Sequence, residues 1–70
     1  MVKIINFSLN GQAYYIKKKI NLFDLITYFN YNHNLLVLEY NHSICTKKQW
    51  KQIFLKNQDR IEIVTIVGGG

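Results

Sequence analysis

The feature that most constrains the fold is a strongly apolar segment near the C-terminus, residues 60–67. Successive side chains of a β-strand point to opposite faces of the sheet. One face of this segment would carry Ile61, Ile63 and Val67, and the other would carry Val64 and Ile66. A strand that is apolar on both faces is typical of the middle of a sheet. The sequence therefore predicts a sheet organised around its last strand.

The N-terminal region predicts a β-hairpin. Residues 1–7 are rich in β-branched and aromatic side chains, and Asn10 and Gly11 follow shortly after. Both of these residues tolerate the positive φ that a type I′ turn requires, which makes the pair a strong hairpin indicator. A second strand over residues 12–17 should therefore pair antiparallel with the first strand.

The one main helix is predicted to begin after Asn21. This residue can cap a helix, and Asp24, three positions later, lies favourably near the positive end of the helix dipole. Apolar residues recur at helical spacing as Leu22, Leu25, Ile26 and Phe29. One helical face must therefore lie on the sheet. The asparagines within residues 30–34 should end the helix, because asparagine tolerates left-handed geometry.

Two more strands are predicted after the helix. Residues 35–40 form the third strand, and a tight turn over residues 41–43 leads into a short fourth strand around Ile44 and Cys45. The predicted architecture is α+β. It is a mixed sheet of four to five strands with one helix across its concave face, in which the first and last strands are central and parallel.

A helical turn is predicted between the fourth and last strands. Thr46 and Gln49 match the T-x-x-Q capping box, so residues 47–52 should turn and pack Trp50 against the core. For Cys45 a small buried apolar role is favoured over a nucleophile, because neither His33 nor His42 can be placed beside it from sequence. His33 is predicted to be an exposed loop residue.

The size of the chain argues against a catalyst. Seventy residues form at most one domain, with a core near the lower limit for unassisted folding and little room for an active-site cleft. The single cysteine excludes an internal disulfide and fits a reducing compartment. No stretch has the length of a signal peptide's apolar block or of a membrane span, so we expect a soluble intracellular protein with no membrane partner.

The net charge of +5 raises the possibility of nucleic-acid binding. The lysines are scattered over several predicted elements, with local groups only at residues 17–19 and at Lys47, Lys48 and Lys51. We interpret both groups as solvated faces. Without an aromatic RNA-binding signature or a clustered basic helix, a small basic nucleic-acid-binding module is a distant alternative, and we expect no nucleic-acid partner.

Three glycines, Gly68, Gly69 and Gly70, follow the last predicted strand and end the chain. Glycine at a free terminus neither packs nor favours a strand, so the domain should comprise residues 1–67 and a flexible tail residues 68–70. Such a tail can be a frayed end. It can also be a thin thread whose terminal carboxylate enters a narrow partner site, and the preceding strand favours this second interpretation.

The stretches LLVLEYNHSICTKKQW, LKNQDRIEIV and the terminal VGGG carry a resemblance to a known family. The chain resembles the ThiS family of small sulfur carriers, which has the β-grasp, or ubiquitin-like, fold. That family shows a D-x-I-E-I-V strand and a diglycine end, matched here from Asp59 to Val64 and at Gly69 and Gly70. The family often has glycine before the aspartate, where this chain has Gln58, so we expect a strained or differently shaped turn there.

The resemblance implies a carrier rather than an enzyme. Gly70 would be adenylated with ATP by a ThiF-like enzyme and converted to a thiocarboxylate by a persulfide donor, then donate sulfur to a ThiG-like thiazole synthase in thiamine biosynthesis. The carrier would bind no cofactor or metal of its own. Gly68, Gly69 and Gly70 would enter the partner's channel, and we expect Ile66 and Val67 at the docking surface.

Two related functions share this tail and its activation. One is a ubiquitin-like modifier that forms isopeptide bonds, and the other is a molybdopterin-type sulfur carrier. We expect the protein in the cytoplasm, or in the plastid stroma if it is organelle-encoded.

Overall fold

The computed structural model describes residues 3–66. Five strands, one α-helix and one 3₁₀ turn follow one another along this part of the chain. They are β1 (Ile5–Leu9), β2 (Gln12–Ile16), α1 (Leu22–Tyr28), β3 (Leu36–Tyr40), β4 (Ser43–Cys45), the 3₁₀ turn (Lys47–Gln49) and β5 (Asp59–Thr65).

The strands form a single sheet in the order β2-β1-β5-β3-β4. β1 and β5 are parallel, whereas β1 with β2, β3 with β5 and β3 with β4 are antiparallel. β5 lies in the middle of the sheet with β1 beside it. The prediction of a central last strand parallel to the first is confirmed.

The hairpin between β1 and β2 turns where the sequence predicted. Asn10 and Gly11 have φ of 50° and 80°, as a type I′ turn requires. Because this two-residue turn pairs Leu9 with Gln12, β1 continues up to the turn and runs over Ile5–Leu9 rather than residues 1–7. Asn10 also fastens the hairpin to β5, because its side-chain oxygen accepts from the Ile63 N–H at 2.7 Å.

Helix α1 begins and ends as predicted. The Asn21 side chain accepts from the Asp24 N–H at 2.7 Å, which satisfies one free donor of the first turn. Asn30 adopts φ of 61° just beyond the helix, in the left-handed region that ends helices. The apolar face of α1 is buried in the core, which comprises Phe7, Leu9, Leu22, Leu25, Ile26, Leu36, Leu38, Cys45, Trp50, Leu55, Ile61 and Ile63.

The segment after β4 closes the core against the start of α1. The Gln49 side-chain oxygen accepts from the Thr46 N–H at 2.9 Å, as the capping box predicted. Trp50 is 2% exposed, and its indole N–H donates to the Cys45 carbonyl at 3.1 Å. Cys45 is buried as expected, and this burial raises the pKa of its thiol.

His33 is not the exposed loop residue that the sequence predicted. Its ring is half-buried, with its centroid 4.5 Å from that of Phe23, and its Nε2 lies 3.0 Å from the Thr27 hydroxyl. The prediction was wrong because the loop after α1 folds back along the helix, which sequence periodicity does not reveal. His33 therefore has a packing role.

Gln58 adopts φ of 72° in the turn before β5. This conformation costs a residue with a β-carbon about 1–2 kcal/mol, and it explains why glycine is common at this position in the family that the sequence resembles. The Gln58 N–H donates to the Asn6 carbonyl at 2.6 Å, so the turn is held in place by the sheet.

We therefore expect Gln58→Gly to raise the free energy of unfolding by about 0.5–1 kcal/mol. Glycine relieves the backbone strain of the folded state, and this gain exceeds the cost of its greater chain entropy in the unfolded state. Urea denaturation measures the change. The matched control is Gln12→Gly in strand β2, which should lower stability, because glycine in a strand only adds chain entropy to the unfolded state. A loss of stability in Gln58→Gly would contradict a strained turn.

Candidate functional site

The sheet has one covered face and one open face. Helix α1 and the segment around Trp50 pack against the covered face, where Ile61 and Ile63 of β5 are buried. The alternate residues of β5 face the other way, and Val64 and Ile66 there are 58% and 48% exposed. A central strand that is apolar on both faces is thus buried on only one of them.

The open face carries an apolar patch at the C-terminal end of β5. Val64 is paired directly with Val37 of β3, and the Ile66 N–H donates to the Leu35 carbonyl at 2.7 Å. We call Leu35, Val37, Val64 and Ile66 the open-face patch. A contiguous exposed apolar surface of this kind marks an interaction site more often than isolated exposed residues do.

Two carboxylates border the open-face patch. Glu39 of β3 and Glu62 of β5 are directly opposed in the sheet, and Glu39 is opposed to the exposed Ile44 on its other side. The chain has only four acidic residues, so half of its negative charge lies at this one place. Like charges directly opposite each other destabilise a sheet, and a cation brought by a partner would relieve that repulsion.

The last described residues of the chain lie beside this patch. β5 remains paired through Thr65, opposite Leu36, and the next residue, Ile66, is still bonded to Leu35. Ile66, which the sequence predicted at a docking surface, therefore lies on the open face. The other predicted site residues, Val67, Gly68, Gly69 and Gly70, lie outside the described residues.

At the opposite end of β5, Asp59 is a buried carboxylate, 6% exposed, that organises the start of the strand. It accepts hydrogen bonds from the Tyr40 hydroxyl at 2.9 Å, the Asn41 side-chain amide at 3.0 Å and the Lys56 N–H at 2.8 Å. Asn41 is itself oriented, because its side-chain oxygen accepts from the Arg60 N–H at 2.7 Å. The sequence identified Asp59 by the family pattern but not this network.

The network also affects Tyr40. Burial, together with the hydrogen bond to the nearby Asp59 carboxylate, raises the pKa of the Tyr40 phenol from 10.0 to about 12. An unfolded-state phenol ionises at the lower value, so this contribution to stability is complete below pH 10 and is lost as the pH rises towards 12.

In a titration of phenolate absorbance we expect one tyrosine to ionise near pH 12. The substitution Tyr40→Phe should remove that step and leave the absorbance change at lower pH intact. If the step near pH 12 persists in the variant, the assignment to Tyr40 is wrong.

Residues 3–66 present no grouping of three or more His, Cys, Asp or Glu side chains that could ligate a metal ion. Within the same range, no helix has the length and apolarity needed to cross a membrane.

A five-stranded mixed sheet crossed by one helix, with parallel strands β1 and β5 at its centre, defines a β-grasp, ubiquitin-like domain. The ThiS family model matches residues 7–70, and the chain belongs to the ThiS family. That family consists of small sulfur carriers rather than catalysts.

Two solved structures share the fold. The crystal structure of the thiamine biosynthesis protein ThiS from Geobacter metallireducens aligns with a TM-score of 0.80 and 19% identity, covering 94% of this chain and all of the other. The solution structure of a thiamine biosynthesis protein from the same organism aligns with a TM-score of 0.77 and 19% identity, covering 94% of this chain and 88% of the other.

Relatives with higher sequence identity carry no functional name. The uncharacterized protein ycf40 of Trieres chinensis is 61% identical over 64 residues, which span 91% of this chain and 88% of that protein. The proteins of the same name from Pyropia yezoensis and Porphyra purpurea are 32% and 29% identical, over 94% and 97% of this chain and 93% and 96% of their own lengths.

Proposed function

We propose that the protein is a sulfur carrier of thiamine biosynthesis whose terminal Gly70 carboxylate becomes a thiocarboxylate. The proposal rests mainly on the position of β5. This strand ends at the edge of an exposed apolar patch, and the last residue of the sequence, four positions after Ile66, is a glycine. In this proposal residues 1–67 are the folded domain and residues 68–70 the tail.

The chemistry begins with activation, because the oxygen of a free carboxylate is a very poor leaving group. The Gly70 carboxylate attacks the α-phosphate of ATP and releases pyrophosphate, which gives an acyl-adenylate. The outer sulfur of a persulfide then attacks the acyl carbon and displaces AMP. A thiol reduces the resulting acyl disulfide to the thiocarboxylate, whose sulfur a thiazole synthase consumes. The carrier needs no cofactor or metal for these steps, since the ATP is bound by the activating partner.

The tail gives the carboxylate its reach. Four residues beyond Ile66, fully extended, span about 14 Å. Without β-carbons, Gly68, Gly69 and Gly70 fit a channel shaped for backbone alone. Docking of the domain then makes the reaction effectively intramolecular, which is how a carrier contributes to rate.

We propose the open-face patch as the surface on which the adenylating partner docks, with Ile66 and Val67 nearest to its channel. The patch includes Ile66, the last described residue before the tail, so a partner bound there would be close to the start of the tail. The pair Glu39 and Glu62 at its border favours a partner that presents a basic residue beside an apolar surface. The thiazole synthase would use the same end of the molecule at a later step.

The compartment is proposed from the relatives. They bear the name ycf40, which denotes plastid-encoded genes, and this fits the plastid stroma for an organelle-encoded copy and the cytoplasm otherwise.

Intact-mass spectrometry tests the proposal. The protein is incubated with a ThiF-like enzyme, ATP and a persulfide donor, and we expect the mass increase of one oxygen replaced by sulfur, located at Gly70 by fragmentation. A chain lacking Gly70 should show no increase. If the full chain gains no mass with an enzyme that loads a known ThiS protein, the proposal is wrong.

The same experiment separates the related functions. High-mass conjugates to lysines of other proteins would identify a ubiquitin-like modifier. A thiocarboxylate that a molybdopterin-forming enzyme accepts, and that a thiazole synthase does not, would identify the molybdopterin-type carrier.

A further inference from the structure

The fold gathers lysines that are far apart in the sequence. Lys3, Lys56 and the three lysines of residues 17–19 line a single open pocket of about 800 Å³. They come from the start of β1, the end of β2 and the segment before β5. All five are exposed, as predicted for solvated lysines. The sequence did not show that β1 and β2 bring these distant segments to the same end of the sheet. We call this site the lysine pocket.

The charge of the lysine pocket is not compensated by its own lining. No acidic residue is among the described residues that line it. The nearest carboxylate of the Tyr40 network, Asp59, is buried and engaged by three hydrogen bonds. Five of the nine basic side chains of the protein thus line one pocket, to which no acidic side chain of residues 3–66 contributes. Lys17 and Lys18 also line a neighbouring pocket, whose lining includes Asp24. An arrangement of this kind attracts multivalent anions, since it focuses a positive potential in a concave site.

The lining of the lysine pocket also includes apolar side chains and the aromatic ring of Phe54. Phe54 is 39% exposed, and the Lys19 ammonium lies 4.7 Å from its ring centroid. The aliphatic residues of the lining are Ile4, Ile5, Ile53 and Leu55. A ligand that combines phosphates with a planar ring would match both parts, because phosphates pair with ammonium groups and a base stacks on an aromatic side chain.

The lysine pocket lies at the opposite end of the sheet from the tail. Its residue Asn57 precedes β5, and the open-face patch begins only near the C-terminal end of that strand. Asn57 and Val64 are seven residues apart, about 23 Å in extended chain, and the pocket residue Tyr40 is three residues from Val37 along β3, about 10 Å. A ligand in the lysine pocket would therefore stay clear of a partner that holds the tail.

We propose that the lysine pocket binds the multivalent phosphate of a small ligand, with a nucleoside triphosphate as the class that fits best. A compact cluster at one end of the molecule favours a small ligand over a nucleic-acid chain, which needs a basic track along a surface. No such track continues along the open face, where Glu39 and Glu62 lie. The site is separate from the Gly70 chemistry and does not depend on it.

Nuclear magnetic resonance titration of the ¹⁵N-labelled full chain tests the proposal. The probes are ATP and inorganic tripolyphosphate, both without divalent cations and at low salt. We expect shifts in the amide signals of residues 17–19 and 54–57, and weaker binding as salt is added. The triple variant K17Q/K18Q/K19Q should bind about tenfold more weakly, since each lost surface ion pair contributes about 0.5 kcal/mol.

The matched control is K47Q/K48Q/K51Q, which removes the same charge from residues outside the lysine pocket. It should keep the wild-type affinity to within about a factor of two, as expected for screened, distant charges. Equal weakening by both variants would overturn the proposal in favour of a net-charge effect, and so would the absence of saturable binding.

The probes also identify the source of the phosphate. ATP binding more tightly than tripolyphosphate, with shifts at Phe54, supports a nucleotide, and equal affinity supports recognition of phosphate alone. A single-stranded oligodeoxythymidylate that binds more tightly than ATP and shifts signals well beyond the pocket would overturn the small-ligand proposal.

Discussion

The double substitution Val64→Glu and Ile66→Glu is expected to slow adenylation of the protein by its activating enzyme about hundredfold while leaving the domain folded. Both side chains are on the open face, so the sheet loses no buried contact with α1. At a docked interface each glutamate would place an unpaired charge against an apolar surface. A loss of roughly 1.5 kcal/mol or more of binding free energy at each of the two interface positions corresponds together to about a hundredfold weaker docking. The existing pair Glu39 and Glu62 adds repulsion to the new charges.

The control is Ile4→Glu. Ile4 is 50% exposed, nearly the same as Ile66, but it lies at the other end of the sheet, beside the lysine pocket. Adenylation is followed by ATP–pyrophosphate exchange over a range of carrier concentrations. Loss of docking should raise the KM for the carrier more than it lowers kcat. Adenylation of the double variant at the wild-type rate, or an equal defect in Ile4→Glu, would show that the partner docks elsewhere.

The parts of the fold that the sequence could predict depend on local rules. Asn10 and Gly11 impose a two-residue turn because both adopt positive φ, and this turn fixes the register of the first hairpin. Asn21 and the helical spacing that follows it fix the start of α1 and its buried face in the same way. The central position of β5 was predicted because apolar side chains occur on both faces of the strand. Each of these features is determined by a few neighbouring residues.

Features that depend on distant segments could not be predicted. The sequence shows that β5 is apolar on both faces, but a chain this short has a single helix and can cover only one of them. Which of Ile63 and Val64 would be buried depends on where α1 packs. The half-burial of His33 and the gathering of five exposed lysines at one pocket could not be predicted for the same reason, because their neighbours come from other elements.

Some residues of the candidate site could be predicted from local sequence, and others could not, because they depend on distant segments. Gly70 and the two glycines before it were found from the end of the sequence and its family pattern, and their role stays a prediction, since they lie outside the described residues. Ile66 was predicted at the docking surface, and the structure adds its neighbours Leu35, Val37 and Val64. The opposed pair Glu39 and Glu62 had no sequence signature, because the pairing of β3 with β5 depends on the whole sheet.

The substitution Asp59→Ala is expected to lower the free energy of unfolding by about 3 kcal/mol. It would leave three donors without their acceptor, on Tyr40, Asn41 and Lys56, in a largely buried site. Each such loss costs on the order of 1 kcal/mol or more. Small domains lie at the lower end of the usual range of about 5–15 kcal/mol, so much of the stability would be lost. Urea denaturation followed by Trp50 fluorescence measures the change.

Two further variants separate the hydrogen-bond network from a general effect of charge. In Asp59→Asn an NH2 group replaces one carboxylate oxygen. It would face either the amide of Asn41, which is fixed by its bond from the Arg60 N–H, or the Lys56 N–H, so we expect a loss of about 2 kcal/mol despite the unchanged shape. Asp24→Ala removes an equal charge from the exposed first turn of α1 and should cost less than about 1 kcal/mol. If Asp59→Asn is as stable as the wild type, the orientation of Asn41 does not hold the turn before β5. If Asp24→Ala lowers the free energy of unfolding as much as Asp59→Ala does, the loss comes from charge alone.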